Sequence, residues 1–437
     1  MDKTIKTLMI ITALFLSLFL YGCKEETIVV DDSGTTQDGI TSVVYSNNKF
    51  AFNLYSQYSS EEGNVFFSPY SISSALDMTY EGAKGKTAEE MYQVLNYRTC
   101  VCKQGPCNCP VTDRRSAFAS IYNDINAPNN EYRLSTANAL WVQKDYSLLK
   151  DYTDLIAQYY GGKATNLDFI TETEKSRETI NNYIEEQTND KIKDLIPAGM
   201  LDSMTRLVLT NAIYFKGTWE WEFDKDDTRD QDFFITPENI VQTPMMHMNP
   251  EKAKFNYADI GKLQILELPY KGDKLSMLIL LPKQGQEYDF ETGEMINYEN
   301  TLDDIELSID KLNEYKAQMT ETKLDSISLP KFEFNTKYFM KDTLIELGMG
   351  TAFNPLSADF LGMTGNKDLF IGSVIHQAFV GVDEEGTEAA AATAVIIKLT
   401  SAIPSNIFRA DHPFIFLIQD KETGIILFIG RVNDPSE

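Results

Sequence analysis

Residues 383–401 read DEEGTEAAAATAVIIKLTS, a run that holds two incompatible local preferences. The four alanines at 389–392 beside Glu388 favour a helix, whereas Val395, Ile396 and Ile397 favour a strand. At a period of two the run separates cleanly. Thr387, Ala389, Ala391, Thr393, Val395 and Ile397 share one face, and Glu388, Ala390, Ala392, Ala394, Ile396 and Lys398 share the other. The first face has no charge and little bulk, so a strand carrying it can enter between two strands of an existing sheet without burying an unpaired group. Gly386 just ahead supplies a hinge, since glycine adopts backbone angles that other residues resist. An alanine-rich surface helix is the competing reading of the same residues.

The string EEGTEAAAATA at 384–394, which contains Glu385, Gly386, Thr387 and the residues through Thr393, resembles the hinge of the serpin family. Members of that family are protease inhibitors whose exposed reactive loop inserts into a central sheet after the target protease cuts it. Further segments resemble the family in the same order: NVFFSPYSISSALDMTYEGAKGKTAEEM at 64–91, LVLTNAIYFKGTW at 207–219, SLPKF at 328–332, Leu347-Gly348, Ala358-Asp359-Phe360, DHPFIF at 411–416 and ILFIGRV at 426–432. The resemblance covers 43–435 and implies an α+β fold in one domain over 42–437. That fold has a large central mixed β-sheet, two smaller sheets, about eight or nine helices and an exposed loop at 383–404. It also implies that Ser68 and Ser71 lie under the point where the sheet opens, that Asn211 bonds His376 there, and that Trp219 marks the top, where insertion begins. From the residues alone, Asn211 is a polar group isolated in an apolar strand that is costly to bury without partners. His376 reads as a satisfied core histidine, and Trp219 as core packing.

The N-terminus carries Lys3 and Lys6 before an apolar run at 8–20 that is short for a membrane span, so residues 1–22 read as an export signal. The run ends in Leu20-Tyr21-Gly22-Cys23, which resembles a bacterial lipobox in which Cys23 becomes the lipidated first residue; a plain cleaved signal peptide is the alternative. Lys24-Glu25-Glu26 resembles the acidic signal that sends some Bacteroidetes lipoproteins to the cell surface. These features lead us to expect an outer-membrane lipoprotein, periplasmic or surface-exposed, that touches the membrane only through its lipid. Residues 23–41 are polar and read as a flexible tether.

The formal net charge of −26 argues against nucleic acid and anionic surfaces as partners, and no heparin-type site is expected. The chain is expected to be a monomer. Cys100, Cys102, Cys107 and Cys109 form a C-x-C-x4-C-x-C cluster within an insertion at 96–115 that the family pattern lacks. In an exported chain such a cluster reads as a disulfide-stapled surface hairpin turning at Gln104-Gly105-Pro106. Three pairings are open, and a four-cysteine zinc site is the alternative. An enzyme needs a catalytic constellation. The chain has only His247, His376 and His412, and neither a G-x-S-x-G elbow, an HExxH motif nor a P-loop; no cofactor is expected.

The resemblance implies suicide inhibition, in which the protease forms an acyl-enzyme on the loop and is carried across the sheet as the loop inserts. With about 14 residues from Thr387 to Thr400 at ~3.3 Å each, that travel is roughly 45 Å. Counting as the family does from Gly386 places the cut between Thr400 and Ser401, which suits an elastase-like serine protease. A shifted register instead offers Lys398 to trypsin-like enzymes or Leu399 to apolar pockets, and cysteine proteases also form acyl-enzymes. Two alternatives remain: a non-inhibitory member of the family, for which the small inward face is the discriminator, or a surface binding lipoprotein. The Cys23→Ala variant is expected to leave the membrane fraction, and unchanged fractionation of that variant refutes the lipid anchor.

Overall fold

The computed structural model describes residues 28–97, 101–102, 105–106, 111–127, 131–250, 253–289, 294–387 and 406–437. Its organising layer is a six-stranded mixed sheet in the order Phe332–Phe339, Ser373–Val382, Gly386–Thr387, Leu207–Thr218, Tyr132–Gln143, Lys163–Leu167. A seven-stranded antiparallel sheet built around Leu275–Pro282 and Phe414–Asp420 packs behind it, and a four-stranded sheet from 224 to 248, 326 to 330 and 407 to 409 caps one end. Nine α-helices are present among the described residues. This is the α+β architecture implied above.

The central strands are apolar on both faces because both faces are covered. Leu207–Thr218 is buried at nearly every position. On one side Ala137, Ala139, Trp141, Val208, Ala212 and Ile375 pack with Ile180 and Ile184 of the helix Thr173–Gln187. On the other, Leu140, Leu209, Ile213 and Ala378 join the main core with the helix Pro69–Tyr80. That helix starts as its sequence predicts. Ser68 caps it by accepting the Ser71 N–H at 3.1 Å, and Pro69 fills the first turn, where no N–H is needed.

Two of the expected boundaries differ from the structure. The tether was expected to run to residue 41, but the helix Gln37–Tyr58 already begins inside it, capped by Thr36, which accepts the Gly39 N–H at 3.0 Å. The residues before the helix are docked too, with Val30 buried and its N–H and C=O both bonded to Asn123. Polar composition suggested a solvated chain; here the same Asp, Ser and Thr side chains serve as caps and cross-links. The insertion expected at 96–115 is shorter at its far end, because 111–115 belong to the helix Val111–Ile125. Within the insertion, 101–102 pair with 105–106 as a small antiparallel hairpin, so Gly105 and Pro106, expected in the turn, lie on a strand. The side chains of Cys100, Cys102, Cys107 and Cys109 lie outside the described residues, as does Cys23. A second hairpin, Gln284–Asp289 with Glu294–Glu299, was not anticipated. Its mixed, charge-rich sequence gives no clean alternation.

Arg114 and Arg115 explain why the helix Val111–Ile125 is held so firmly. Arg114 donates to Glu81 at 2.8 Å and lies over the rings of Tyr80 and Tyr97 at 4.6 and 4.4 Å, while the Arg115 Nε donates to Glu81 at 2.9 Å. Asp77, fully buried, accepts from the hydroxyls of Tyr97 and Tyr160 and lies 3.5 Å from Arg114. Burial pushes the Asp77 carboxyl up, against the pull of Arg114. Removing one partner from such a buried set strands the others. Arg114→Ala is therefore expected to cost about 3–5 kcal/mol, read as a lower urea midpoint, whereas Lys150→Ala at an exposed pair should change it by less than about 1 kcal/mol.

Candidate functional site

The two central strands of the six-stranded sheet do not stay together along their length. Ser373–Val382 runs parallel to Leu207–Thr218 over seven residue pairs, from Ser373 opposite Val208 to Phe379 opposite Tyr214. Beyond Phe379 they part, and Gly386 and Thr387 fill the gap. Thr387 pairs with Val382 on one side and Gly217 on the other, and Gly386 pairs with Thr218; both ladders are antiparallel. A Cβ on Gly386 would lie 2.0 Å from the Gly217 carbonyl oxygen, so only glycine lets the chain turn this close to its neighbour. Thr387 points inward and is 1 % exposed. Its hydroxyl lies 2.7 Å from that of Tyr270, whose own pKa burial raises well above the usual range, so the pair is neutral. Trp219 stacks on Tyr270 at 4.6 Å and 12°.

The turn leading into the gap is held from both sides. The backbone N–H of Trp219 donates to the Glu385 carbonyl at 2.8 Å, and its indole N–H donates to the Asp383 carbonyl at 3.1 Å. Asp383 accepts the N–H groups of Glu385 and Gly386 at 2.9 and 3.2 Å, closing the turn. Glu384 bonds Lys331 at 2.8 Å and Thr228 at 2.7 Å, and Glu385 pairs with Lys225. Burial alone would raise the Glu384 carboxyl, but these bonds bring it below its ordinary value.

Lower down, beneath the parallel pair, lies a closed polar cluster. The His376 ring is fully buried between Asn211, whose side-chain oxygen accepts from Nδ1, and the Ser68 N–H, which donates to Nε2 at 3.1 Å. An acceptor on one side and a backbone donor on the other fix the neutral tautomer with the proton on Nδ1. The Asn211 amide donates to Ser71 and to Asn138, Ser71 donates to Asn138 at 3.2 Å, and Ser68 donates to the Leu427 carbonyl at 2.6 Å. Each central strand therefore contributes one member to a network shared with the N-terminus of the helix Pro69–Tyr80. Burial drives the His376 pKa down to about 3, against a weaker opposing pull from Asn211.

These features belong together in one known architecture. A family profile described as serpin, serine protease inhibitor, matches residues 45–435. The chain belongs to the serpin family. An uncharacterised serpin-like protein of Methanosarcina acetivorans is 41% identical over 98% of both chains. A leukocyte elastase inhibitor of Equus caballus is 39% identical over 89% of this chain and 98% of its own. The structure of uncleaved ovalbumin superposes with a TM-score of 0.76, at 29% identity, over 90% of this serpin and all of ovalbumin.

The structure brings Ser68, Ser71, Asn211 and His376 into one cluster and places Trp219, Glu385, Gly386 and Thr387 around the gap. Glu388, Ala389, Ala390, Ala391, Ala392, Thr393, Lys398, Leu399, Thr400 and Ser401 lie outside the described residues. Sequence reading missed Asn138 and Tyr270. Asn138 interrupts an apolar strand just as Asn211 does, and the two face each other across the ladder, a register that no local pattern states. Tyr270 sits at the end of a strand, where its hydroxyl gives no sequence signal.

The unfolded chain takes up a proton at His376 near pH 6.5, whereas the folded ring refuses it down to about 3. The stability this group contributes is therefore complete above pH 6.5 and falls by about 1.4 kcal/mol per unit as the pH drops below it. Urea midpoints of the wild type measured between pH 6.5 and 4.5 are expected to fall more steeply than those of His376→Gln, by the slope of one proton. Equal slopes overturn this assignment.

Proposed function

We propose that this serpin is a suicide inhibitor of serine proteases, most suited to elastase-like enzymes, that traps its target by inserting residues 387–400 into the central sheet. The observation that carries the proposal is the gap between the two central strands. Its first two positions are already occupied by Gly386 and Thr387 in antiparallel pairing on both sides. Extending that pairing downward exchanges one parallel ladder of seven residue pairs for two antiparallel ladders, which are somewhat more stable per residue. The small side chains at alternate positions beyond Thr387 would meet the same inner face. The cut between Thr400 and Ser401 suits a small-residue pocket, and the relatedness to a leukocyte elastase inhibitor points the same way.

The chemistry divides into capture and displacement. The protease nucleophile attacks the carbonyl of residue 400, forming an ester to Thr400 and releasing the amine of Ser401. Insertion then removes the acyl-enzyme from its starting place before water completes hydrolysis. We propose further that Cys23 carries a lipid and that the protein works at the cell envelope, as its leader suggests.

The test is incubation with a panel of serine and cysteine proteases, with mass measurement of the released C-terminal peptide. A peptide beginning at Ser401 together with an SDS-stable complex is expected. One beginning at Leu399 moves the site to Lys398, and cleavage without any complex overturns the inhibitory reading. Thr387→Arg is expected to turn the inhibitor into a substrate, because an inward guanidinium has no partner against Tyr270 and cannot be desolvated there. A complex formed by this variant at wild-type yield refutes the mechanism.

A further inference from the structure

The described chain begins with two exposed apolar residues, Ile28 at 53% and Val29 at 78% exposure, followed at once by a docked segment. Val30 exchanges backbone bonds with the Asn123 side chain at 3.0 and 2.8 Å. The Asp31 N–H donates to the Gln158 carbonyl at 2.7 Å, and the Gln158 side chain returns a bond to the Asp31 carboxylate at 2.7 Å. Ser33 and Thr35 bond Ser116, and Thr36 donates to Asp113 at 3.0 Å. The segment thus runs along the helix Val111–Ile125 from its C-terminal end toward its N-terminal end.

That C-terminal end lies at the same end of the central sheet as the hinge. Asp124 accepts from Lys274 at 2.7 Å, and the Ile125 carbonyl accepts from Tyr132 at 3.0 Å. Tyr132 is paired with Gly217, which is paired with Thr387. Two strand spacings, roughly 10 Å, therefore separate Tyr132 from the hinge. From Cys23 to Ile28 the chain can span at most about 18 Å, against roughly 60 Å had residues 23–41 been free.

We propose that the lipid bilayer covers one defined flank of this domain: the side formed by Ile28, Val29 and the C-terminal end of the helix Val111–Ile125, at the hinge end of the sheet. This rests on the reading of Cys23 as lipidated. Docking of 30–36 shortens the leash until the domain cannot turn freely, and the two exposed apolar side chains lie where the leash enters. The bait strand is then presented beside the membrane, and insertion carries a captured protease toward the opposite, membrane-distal end.

The mature lipidated protein in phosphatidylcholine vesicles, with the lipid verified by intact mass, is compared with soluble Cys23→Ala by acetylation with a charged, membrane-impermeant lysine reagent. Labelling of Lys271 and Lys274, at the hinge end, is expected to fall severalfold on vesicles, while that of Lys144 and Lys367, at the far end, stays unchanged. In Asn123→Ala/Gln158→Ala, which removes the side-chain bonds holding Val30 and Asp31 and so lengthens the free chain ahead of the docked 33–36, Lys271 and Lys274 are expected to regain labelling while the protein stays bound. A lipidated protein with uniform labelling, with protection at Lys144 or Lys367 instead, or with protection that survives the double substitution overturns this inference and leaves the anchor intact. A protein without the lipid overturns both.

Discussion

The parallel contact between Ser373–Val382 and Leu207–Thr218 is the constraint on which the remaining structure turns. Two neighbouring strands of one sheet run the same way, and the chain that could separate them leaves the first by a tight turn and so must enter antiparallel to both. Such a sheet is complete enough to be stable and incomplete enough to accept a strand. The polar cluster beneath it fits that condition. Asn211 and His376 sit on opposite sides of the seam and bond each other, so parting the strands there breaks buried hydrogen bonds, while leaving the seam closed satisfies every member. Above the cluster the seam is already open by two residues.

The hinge turn adds a second level of control. Glu384 is tied to Lys331, at the junction of the capping and central sheets, and Glu385 to Lys225 on a capping strand, while Trp219 binds the turn's carbonyls. These contacts hold Gly386 and Thr387 in place. Under the proposed mechanism they set where insertion would start and leave its extent to the seam below.

Much of this was legible in the sequence because it depends on composition at fixed spacing. The alternation after Gly386, the Ser68-Pro69 helix start and the isolated Asn211 each announce a local environment, and the structure places Ser68-Pro69 and Asn211 in such an environment, while of the alternating run only Thr387 lies among the described residues. What was not legible depends on register or on contacts between distant elements. Asn138 matters because it falls opposite Asn211, and Tyr270 because its ring ends under Thr387. Lys225 and Lys331 are ordinary surface lysines until the turn is folded onto them. The N-terminal segment misled for a related reason: Asp, Ser and Thr are as suited to capping and cross-linking as to a solvated leash, and only the presence of Asn123 and Gln158 decides between the two.

That last substitution of roles links the two ends of the chain. On the proposed reading of Cys23 as lipidated, a leash that folds onto the domain is no longer just a spacer, because it would fix which surface follows the lipid. The helix it docks on is itself held by Glu81 through Arg114 and Arg115, and its end is bonded to Lys274 in the turn that follows Tyr270. Tyr270 in turn meets Thr387. Residues 30–36 and the hinge are therefore joined through one packed path of helix, turn and buried hydroxyl, so that, under the proposed anchoring at Cys23, the position of the hinge relative to the lipid is set by packing and not by the length of a free chain.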